Sequence, residues 1–212
     1  MLINYMIYII VTTSIIIKVG IQNNIHRQNR YIECIKQLLN LTNDLTNDLT
    51  IKVIVVENNG FRKTFLDDLK CDICYTDNNK FNFKHKGENE LLDIKHVINQ
   101  YKIQDDDIVI KLTGRYKLLN LDFINLVINN DLDGFVKFFN VCTKKYMFDD
   151  CVLGLFAIKC KYLKDFKYKS LKSAECEFAD YIRKNINKNK LIEVEQLYLE
   201  CCFADDLRIL IV

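Results

Sequence analysis

Three polar stretches, each closing an apolar run, carry the residue types that hold phosphates and sugar hydroxyls. The clearest is IVIKLTGRY, where the run from Ile108 stops at Thr113, Gly114, Arg115 and Tyr116. A hydroxyl, a backbone open to close approach and a fixed planar cation are what a phosphate site needs. The second stretch is Thr12 and Thr13, and the third is Glu57, Asn58 and Asn59. Ligands of open α/β sheets bind at the carboxyl ends of the strands. In a parallel sheet these three ends share one edge and form a crevice. Their hydroxyls, acid and amides suit the ring and ribose of a nucleotide. Arg115 and Lys111 suit a pyrophosphate, although Lys111 lies inside the strand. Each residue alone reads as a turn or cap; the three ends together read as a ligand site.

Other reactive residues point less clearly. Of nine cysteines, only Cys71 and Cys74 have CxxC spacing, and no second pair completes a zinc site. They fall on a strand, where residues three apart face opposite ways. They and the adjacent Cys201 and Cys202 read as reduced core thiols of a reducing compartment. His26, His85 and His96 have no ligand spacing; His85, beside Lys86, is in a place to meet phosphate, and a solvated loop residue is the favoured reading. GxGxxG, Walker A, GxSxG and HExxH motifs are all missing, which counts against dehydrogenases, P-loop enzymes and common hydrolases.

The elements that must position these residues alternate between strand-like and helix-like patterns, as in an α/β domain. Strands are predicted at Tyr5–Thr13, Ile51–Val56, Asp72–Thr76 and Ile108–Leu112, and later at Gly134–Val141, Cys151–Cys160 and Arg208–Val212. Helices are predicted at Asn24–Leu41, Phe61–Leu69, Glu88–Gln100, Asn120–Asn129 and Ser173–Asn185. Ser173 caps the last of these, with Glu175 and Glu177 in its first turns. Asn40–Thr50 repeats Leu-Thr-Asn-Asp and reads as a short loop or helix end. Asp77–Phe83 is a polar loop, and Ile192–Leu199 reads as helix or strand.

With 212 residues and no linker, one domain is expected, able to bury a core without staples. A net charge of +2 argues against a general nucleic-acid binder. The lack of proline and the wealth of Asn, Ile and Lys resemble the codon bias of an AT-rich genome, such as that of a large DNA virus. Residues 1–17 are uncharged and near the roughly 17–25 residues of a membrane span. Asn4, Thr12, Thr13 and Ser14 interrupt them and no basic cluster precedes them, which favours a buried strand over an anchor. Membrane association is therefore not expected, and the cytoplasm, the host's if the source is viral, is the expected compartment.

The order of IIVTTS, a helix carrying Arg27, Arg30 and Tyr31, VIVVENNG, YTDNN, HKGENELLDIKHVI and DDDIVIKLTGRY resembles small GT-A-type glycosyltransferases of capsular polysaccharide loci and large DNA viruses. The resemblance covers roughly residues 5–185. It implies an α/β fold, a single-domain Rossmann-like α/β/α sandwich with a mostly parallel sheet. It implies a nucleotide-sugar donor bound by residues 1–119 and a glycan, glycoprotein or lipid acceptor bound by residues 120–212. Carried over by position, Thr12, Thr13 and Glu57 contact the nucleoside, and Lys86, Gly87 and Glu90 sit near the nucleotide at a helix start.

One departure matters. Many GT-A enzymes end the fourth strand in Asp-x-Asp, which holds a divalent metal (Mn or Mg) on the diphosphate. Here that place reads Thr113-Gly114-Arg115, while Asp105-Asp106-Asp107 lies at the strand's opposite end. Arg115 then supplies the charge of the metal, or other acids such as Asp77, Asp149 or Asp150 hold one. Inversion needs a base for the acceptor hydroxyl. The resemblance puts it on a late helix start, first at Glu175, then at Glu177, with Asp150 third. The rival readings are a catalytically inactive nucleotide- or glycan-binding module and a nucleotidyltransferase. The latter class carries a Gly-rich basic loop after the first strand, whereas TTSIIIKVGIQNN has one Gly and one Lys.

Overall fold

The computed structural model describes residues 5–18, 24–48, 51–203 and 208–212. Its strands are β1 (Ile7–Thr13), β2 (Ile51–Glu57), β3 (Asp72–Tyr75), β4 (Ile108–Thr113) and β5 (Lys117–Leu118), then β6 (Gly134–Val136), β7 (Leu155–Lys159), β8 (Leu191–Glu193), β9 (Leu199–Cys202) and β10 (Ile209–Ile211). Its helices are α1 (Asn24–Asp48), α2 (Lys86–Gln100), α3 (Asp122–Ile128), α4 (Cys160–Asp165) and α5 (Ala174–Asn185).

A seven-stranded sheet has the order β3-β2-β1-β4-β7-β6-β8. The first four strands are parallel, β7 runs against both β4 and β6, and β8 is parallel to β6. The central strands are unbroken apolar runs because both faces are covered. Alternation sends Ile9 and Val11, Val53 and Val55, and Ile108 and Ile110 into the layer of α1 and α3. Ile10, Ile54, Val56 and Val109 go into the layer of α2, α4 and α5. Cys71 and Cys74 divide between the same two layers. A second, antiparallel sheet, β10-β9-β5, follows the end of β4 and packs with the α1 layer.

α2 forms because Leu91, Ile94, Val97 and Ile98 make one apolar face. It ends where Lys102 turns left-handed (φ 52°) and the Ile103 N–H returns to Ile98 O. α5 starts as expected, with the Cys176 N–H donating to Ser173 Oγ at 3.2 Å.

Several expected boundaries change. α1 continues to Asp48 through much of the Leu-Thr-Asn-Asp repeat, while residues 49–50 lie outside the described residues. Leu41 and Leu45, four apart, pack on the core, and buried Thr42 satisfies its hydroxyl on Leu38 O at 2.9 Å. The helix predicted at Phe61–Leu69 is a single 3-10 turn, Phe65–Asp68, since only Leu66 and Leu69 of that stretch are buried and Phe61 is exposed. The strand predicted at Gly134–Val141 stops at Val136, and the one at Cys151–Cys160 narrows to β7, with Cys160 opening α4. Ile192–Leu199 divides between β8 and β9, with Tyr198 in the left-handed region (φ 49°) between them. Among the described residues no helix is long and apolar enough to cross a membrane.

Candidate functional site

Sheet register sets the site. Thr12 lies beside Thr113, and Thr13 beside Glu57. The three polar ends therefore meet at one edge, as their sequence position predicts. Above that edge is a cavity of about 370 Å³. The β1 end contributes Thr12, Thr13, Ser14, Ile17 and Lys18, and α1 contributes Arg27 and Tyr31. Asn58 comes from the β2 end and Arg115 from the turn after β4. The loop from Asn79 to His85 and the first turns of α2, with Lys86, Asn89, Glu90 and Asp93, complete the wall.

The floor is a buried polar cluster. Asp93, with no exposed surface, accepts from Thr76 Oγ1 at 2.7 Å, Asn78 Nδ2 at 2.8 Å and Asn58 Nδ2 at 3.0 Å. Burial pushes the Asp93 carboxyl up to about 6, against the pull of those three donors. Four buried side-chain polar atoms among the described residues have no hydrogen-bond partner: Thr12 Oγ1, Asn58 Oδ1, His85 Nε2 and Asn89 Oδ1. All four belong to residues that line this cavity. Unpaired buried polar atoms are costly and uncommon, so their concentration here makes this cavity the candidate ligand site.

The wall is cationic. Among the described residues that line it, Lys18, Arg27, Lys84, Lys86 and Arg115 stand with two acids, Glu90 and Asp93. Arg27 is fixed by donating Nε to Ser14 O at 3.0 Å and Nη2 to Tyr31 Oη at 2.9 Å. Arg115 is fixed by donating Nε to Cys202 O at 2.8 Å. Held guanidinium groups beside a helix N-terminus suit a phosphate.

Six residues singled out from the sequence line the cavity: Thr12, Thr13, Asn58, Lys86, Glu90 and Arg115. Others stand behind it. Glu57 is fully buried and accepts from Thr13 Oγ1 (2.9 Å), the Ile15 N–H (3.1 Å) and Arg62 Nη2 (3.0 Å). Asn59 holds both polar backbone groups of Ile16, each at 2.9 Å. Lys111 follows Val109 onto the α2 face, where it pairs with Glu90 at 2.7 Å and donates to Thr113 Oγ1 at 2.7 Å. Gly114 allows close packing: a Cβ there would lie 2.8 Å from Thr13 Cγ2 and 3.0 Å from Thr12 O. Gly87 makes similar room for Ala174, and Tyr116 packs under the Arg115 guanidinium against Gly154.

The late acids lie off the cavity wall. Glu177 accepts the N–H groups of Lys169, Leu171 and Lys172; burial raises its carboxyl, and these donors bring it below its ordinary value. Asp150 accepts from Asn140 Nδ2 at 2.6 Å. Glu175 occupies the first turn of α5, next to Ala174.

Sequence reading did not identify Asp93, Asn89, Lys18 or the site role of Arg27 and Tyr31. Asp93 had a signal: it is an acid beside the apolar face of α2. Arg27 and Tyr31 had another, an i,i+4 pair on one helix face.

These residues do not fit a divalent metal. Among the described residues no group of three or more His, Cys, Asp or Glu could hold one. Both Asp93 oxygens are occupied, and Glu90 is paired to Lys111. Asp107, of the acidic run before β4, spends its carboxylate on the Met6 and Gln104 N–H groups at the sheet's other end. Asp77 pairs with Lys80 at 2.6 Å.

No protein-family model matches the sequence, and no curated protein does. Solved structures do. A protein of Desulfovibrio desulfuricans G20 assigned as a nucleotide-diphospho-sugar transferase aligns over 89% of this chain and 79% of its own, with a TM-score of 0.52 at 8% identity. An active-site mutant of LgtC, a galactosyltransferase, aligns over 88% and 72%, with a TM-score of 0.52 at 10% identity. A197 from STIV aligns over 97% and 93%, with a TM-score of 0.46 at 11% identity. The first two show the fold: this chain has the GT-A-like, Rossmann-type α/β architecture on which nucleotide-sugar transferases are built.

Proposed function

We propose that the chain is a glycosyltransferase that binds a nucleotide sugar in the strand-end cavity and transfers the sugar to a glycan, glycoprotein or lipid hydroxyl. The observation that carries this reading is the concentration of unpartnered buried polar atoms on a cationic wall at the carboxyl edge of a GT-A-like sheet. Thr12, Asn58 and Asn89 take the nucleoside. Arg27, Lys86 and Arg115 take the phosphates, so the protein's own cations carry the charge compensation.

In the transfer step, the acceptor oxygen bonds to the anomeric carbon while the bond to the diphosphate oxygen breaks. The leaving diphosphate keeps the electron pair, and Arg115 and Arg27 stabilise its added charge. The acceptor proton passes to a carboxylate. Glu175 is the proposed base, because Ala174 beside it packs on Gly87 in the first turn of α2. Glu177 and Asp150 are already engaged by other donors.

The test is thermal shift of the protein with a panel of nucleotides and nucleotide sugars, in EDTA and in manganese, followed by assay of sugar transfer. A ligand that binds only the folded state raises Tm. A rise with one nucleotide family that persists in EDTA supports the cationic site. A rise that requires manganese overturns it. Binding without transfer or donor hydrolysis makes the chain a binding module, and no rise with any compound refutes the donor reading.

A further inference from the structure

We infer that the cavity floor presents a fixed hydrogen-bond acceptor, Asn58 Oδ1, that Asp93 is the positioning residue that fixes it, and that the bound molecule must bring an N–H or O–H group to this oxygen. The inference rests on the nucleotide reading above and gives it a selectivity.

The argument is one of valence. An ionised carboxylate only accepts. Thr76 Oγ1, Asn78 Nδ2 and Asn58 all converge on Asp93, so each must present a donor to it. An amide that turns its NH2 to Asp93 must turn its carbonyl the other way. Asn58 Oδ1 is therefore an acceptor by necessity, and it is buried, unpartnered and part of a residue on the cavity wall. In the bound state a donor from the ligand satisfies it. An acceptor arriving there meets a second acceptor. Thr12 Oγ1, also buried and unpartnered, can donate or accept and imposes no such polarity.

Protonating Asp93 removes the constraint. The acid then carries a donor of its own, and Asn58 can reverse its amide, which turns the floor from acceptor to donor. Burial brings this protonation into an accessible range, near 6. Glu90 faces Asp93 from its own helix. Arg27, Arg115, Lys18, His85 and Lys86 stand around the same cavity. The β2 and β3 ends present neutral groups to Asp93: Asn58, Thr76, Asn78 and the Cys74 thiol.

The donor can be the imide N–H of uracil or guanine, the exocyclic amino group of cytosine or adenine, or the ribose 2′-hydroxyl. Titration calorimetry separates the two, using the diphosphates of uridine, guanosine, cytidine and adenosine and their 2′-deoxy forms, at pH 7.5 and 5.0. The proteins are the wild type and Asp93→Asn. If the base supplies the donor, the nucleotides that present it (UDP and GDP for an imide, CDP and ADP for an amino group) bind about tenfold more tightly than the others, the loss expected from one mismatched buried hydrogen bond. If the ribose supplies it, the 2′-deoxy form of the best binder is about tenfold weaker. Either preference shrinks to about twofold in Asp93→Asn and in the wild type at pH 5.0. Terminal phosphates titrate near pH 6 as well, so the readout is the ratio between paired nucleotides, in which that effect cancels.

Three results overturn the inference. One is equal binding of all eight compounds by the wild type. Another is a wild-type preference that is as large at pH 5.0 as at pH 7.5. The third is an Asp93→Asn protein that keeps the full preference. The wild-type ratios decide the first two even if the variant does not fold. Failure of every nucleotide to bind refutes the donor reading itself, and this inference with it.

Discussion

Replacing Glu57 by Gln tests whether this buried acid is a brace behind the cavity. The carboxylate has no exposed surface and takes hydrogen bonds from Thr13 Oγ1, the Ile15 N–H and Arg62 Nη2. A glutamine keeps the shape but turns one oxygen into an NH2 group. With its NH2 in the Oε1 position it meets Arg62 Nη2, and with its NH2 in the Oε2 position it meets the Ile15 N–H, while Thr13 can turn its hydroxyl to Val56 O, 2.9 Å away. Hydrogen bonds to a charged group are worth about 1.5–3 kcal/mol each. The Arg62 side chain is 29% exposed, so its ion pair is partly screened and adds little beyond that bond. The expected loss is therefore about 2–3 kcal/mol. In a domain of this size, each kcal/mol lowers Tm by about 2–4 °C. Circular dichroism at 222 nm should then find Glu57→Gln melting roughly 4–12 °C below the wild type. Arg62→Ala should cost less, because Thr13 and Ile15 still satisfy the buried carboxylate. A Gln variant that melts within 1 °C of the wild type, or an Arg62→Ala variant that melts lower still, would refute the brace.

Three further outcomes follow from the geometry. Gly114→Ala puts a Cβ against Thr13 Cγ2, Thr12 O and Tyr31 Cδ1, all within about 3.1 Å. Overpacking of this kind costs about 1–3 kcal/mol, readable as a lowered urea midpoint with an unchanged slope; an unshifted midpoint would show that the turn relaxes freely. Asp93 is held near 6 against an ordinary 3.8, so the folded state binds its proton more tightly than the unfolded state. Its share of stability is present below about pH 4 and is lost as pH rises to about 6, at about 1.4 kcal/mol per unit over roughly two units. Between pH 4 and 7 the wild type should lose on the order of 3 kcal/mol relative to Asp93→Asn, and parallel pH profiles would dismiss the shift. Finally, Cys142 is the exposed thiol among the nine, while Cys34, Cys160 and Cys201 are buried and pushed up to about 12. Ellman's reagent should titrate one fast thiol in the native protein, and a Cys142→Ser variant should lose that phase.

The parts of the fold and site that are legible in the sequence are those that depend on local pattern. Thr12, Asn58 and Arg115 were readable because each closes an apolar run, and a parallel sheet then has to bring them together. The layer arrangement was readable from the alternation along β1, β2 and β4. α1 beyond Leu41 was hidden by turn-forming Asn, Asp and Thr, whose preferences gave way to leucines packing on the core. The cavity floor was hidden for another reason. Asp93 looks like a solvated helix acid until Thr76, Asn78 and Asn58, from two other segments, fold over it. Lys111 looked like a phosphate ligand because charge is visible in a sequence, whereas the face of the sheet on which it meets Glu90 depends on register.

The anchoring of Arg115 has a consequence for the order in which the protein is made. Its guanidinium is held by the carbonyl of Cys202, 87 residues further along, and Arg30 reaches Glu200 on the same strand. Four parallel strands and most of the cavity wall are complete once β4 has been synthesised. The arginine still has no fixed direction at that stage. At about 5–20 residues per second, a ribosome reaches Cys202 roughly 4–17 seconds after Arg115. During that interval the nascent chain carries the cavity with Arg27 already held by Ser14 and Tyr31 and Arg115 not yet held by Cys202. The strand that carries Cys202 thus sets the direction of Arg115, and the cavity takes its final form only after that strand has been translated.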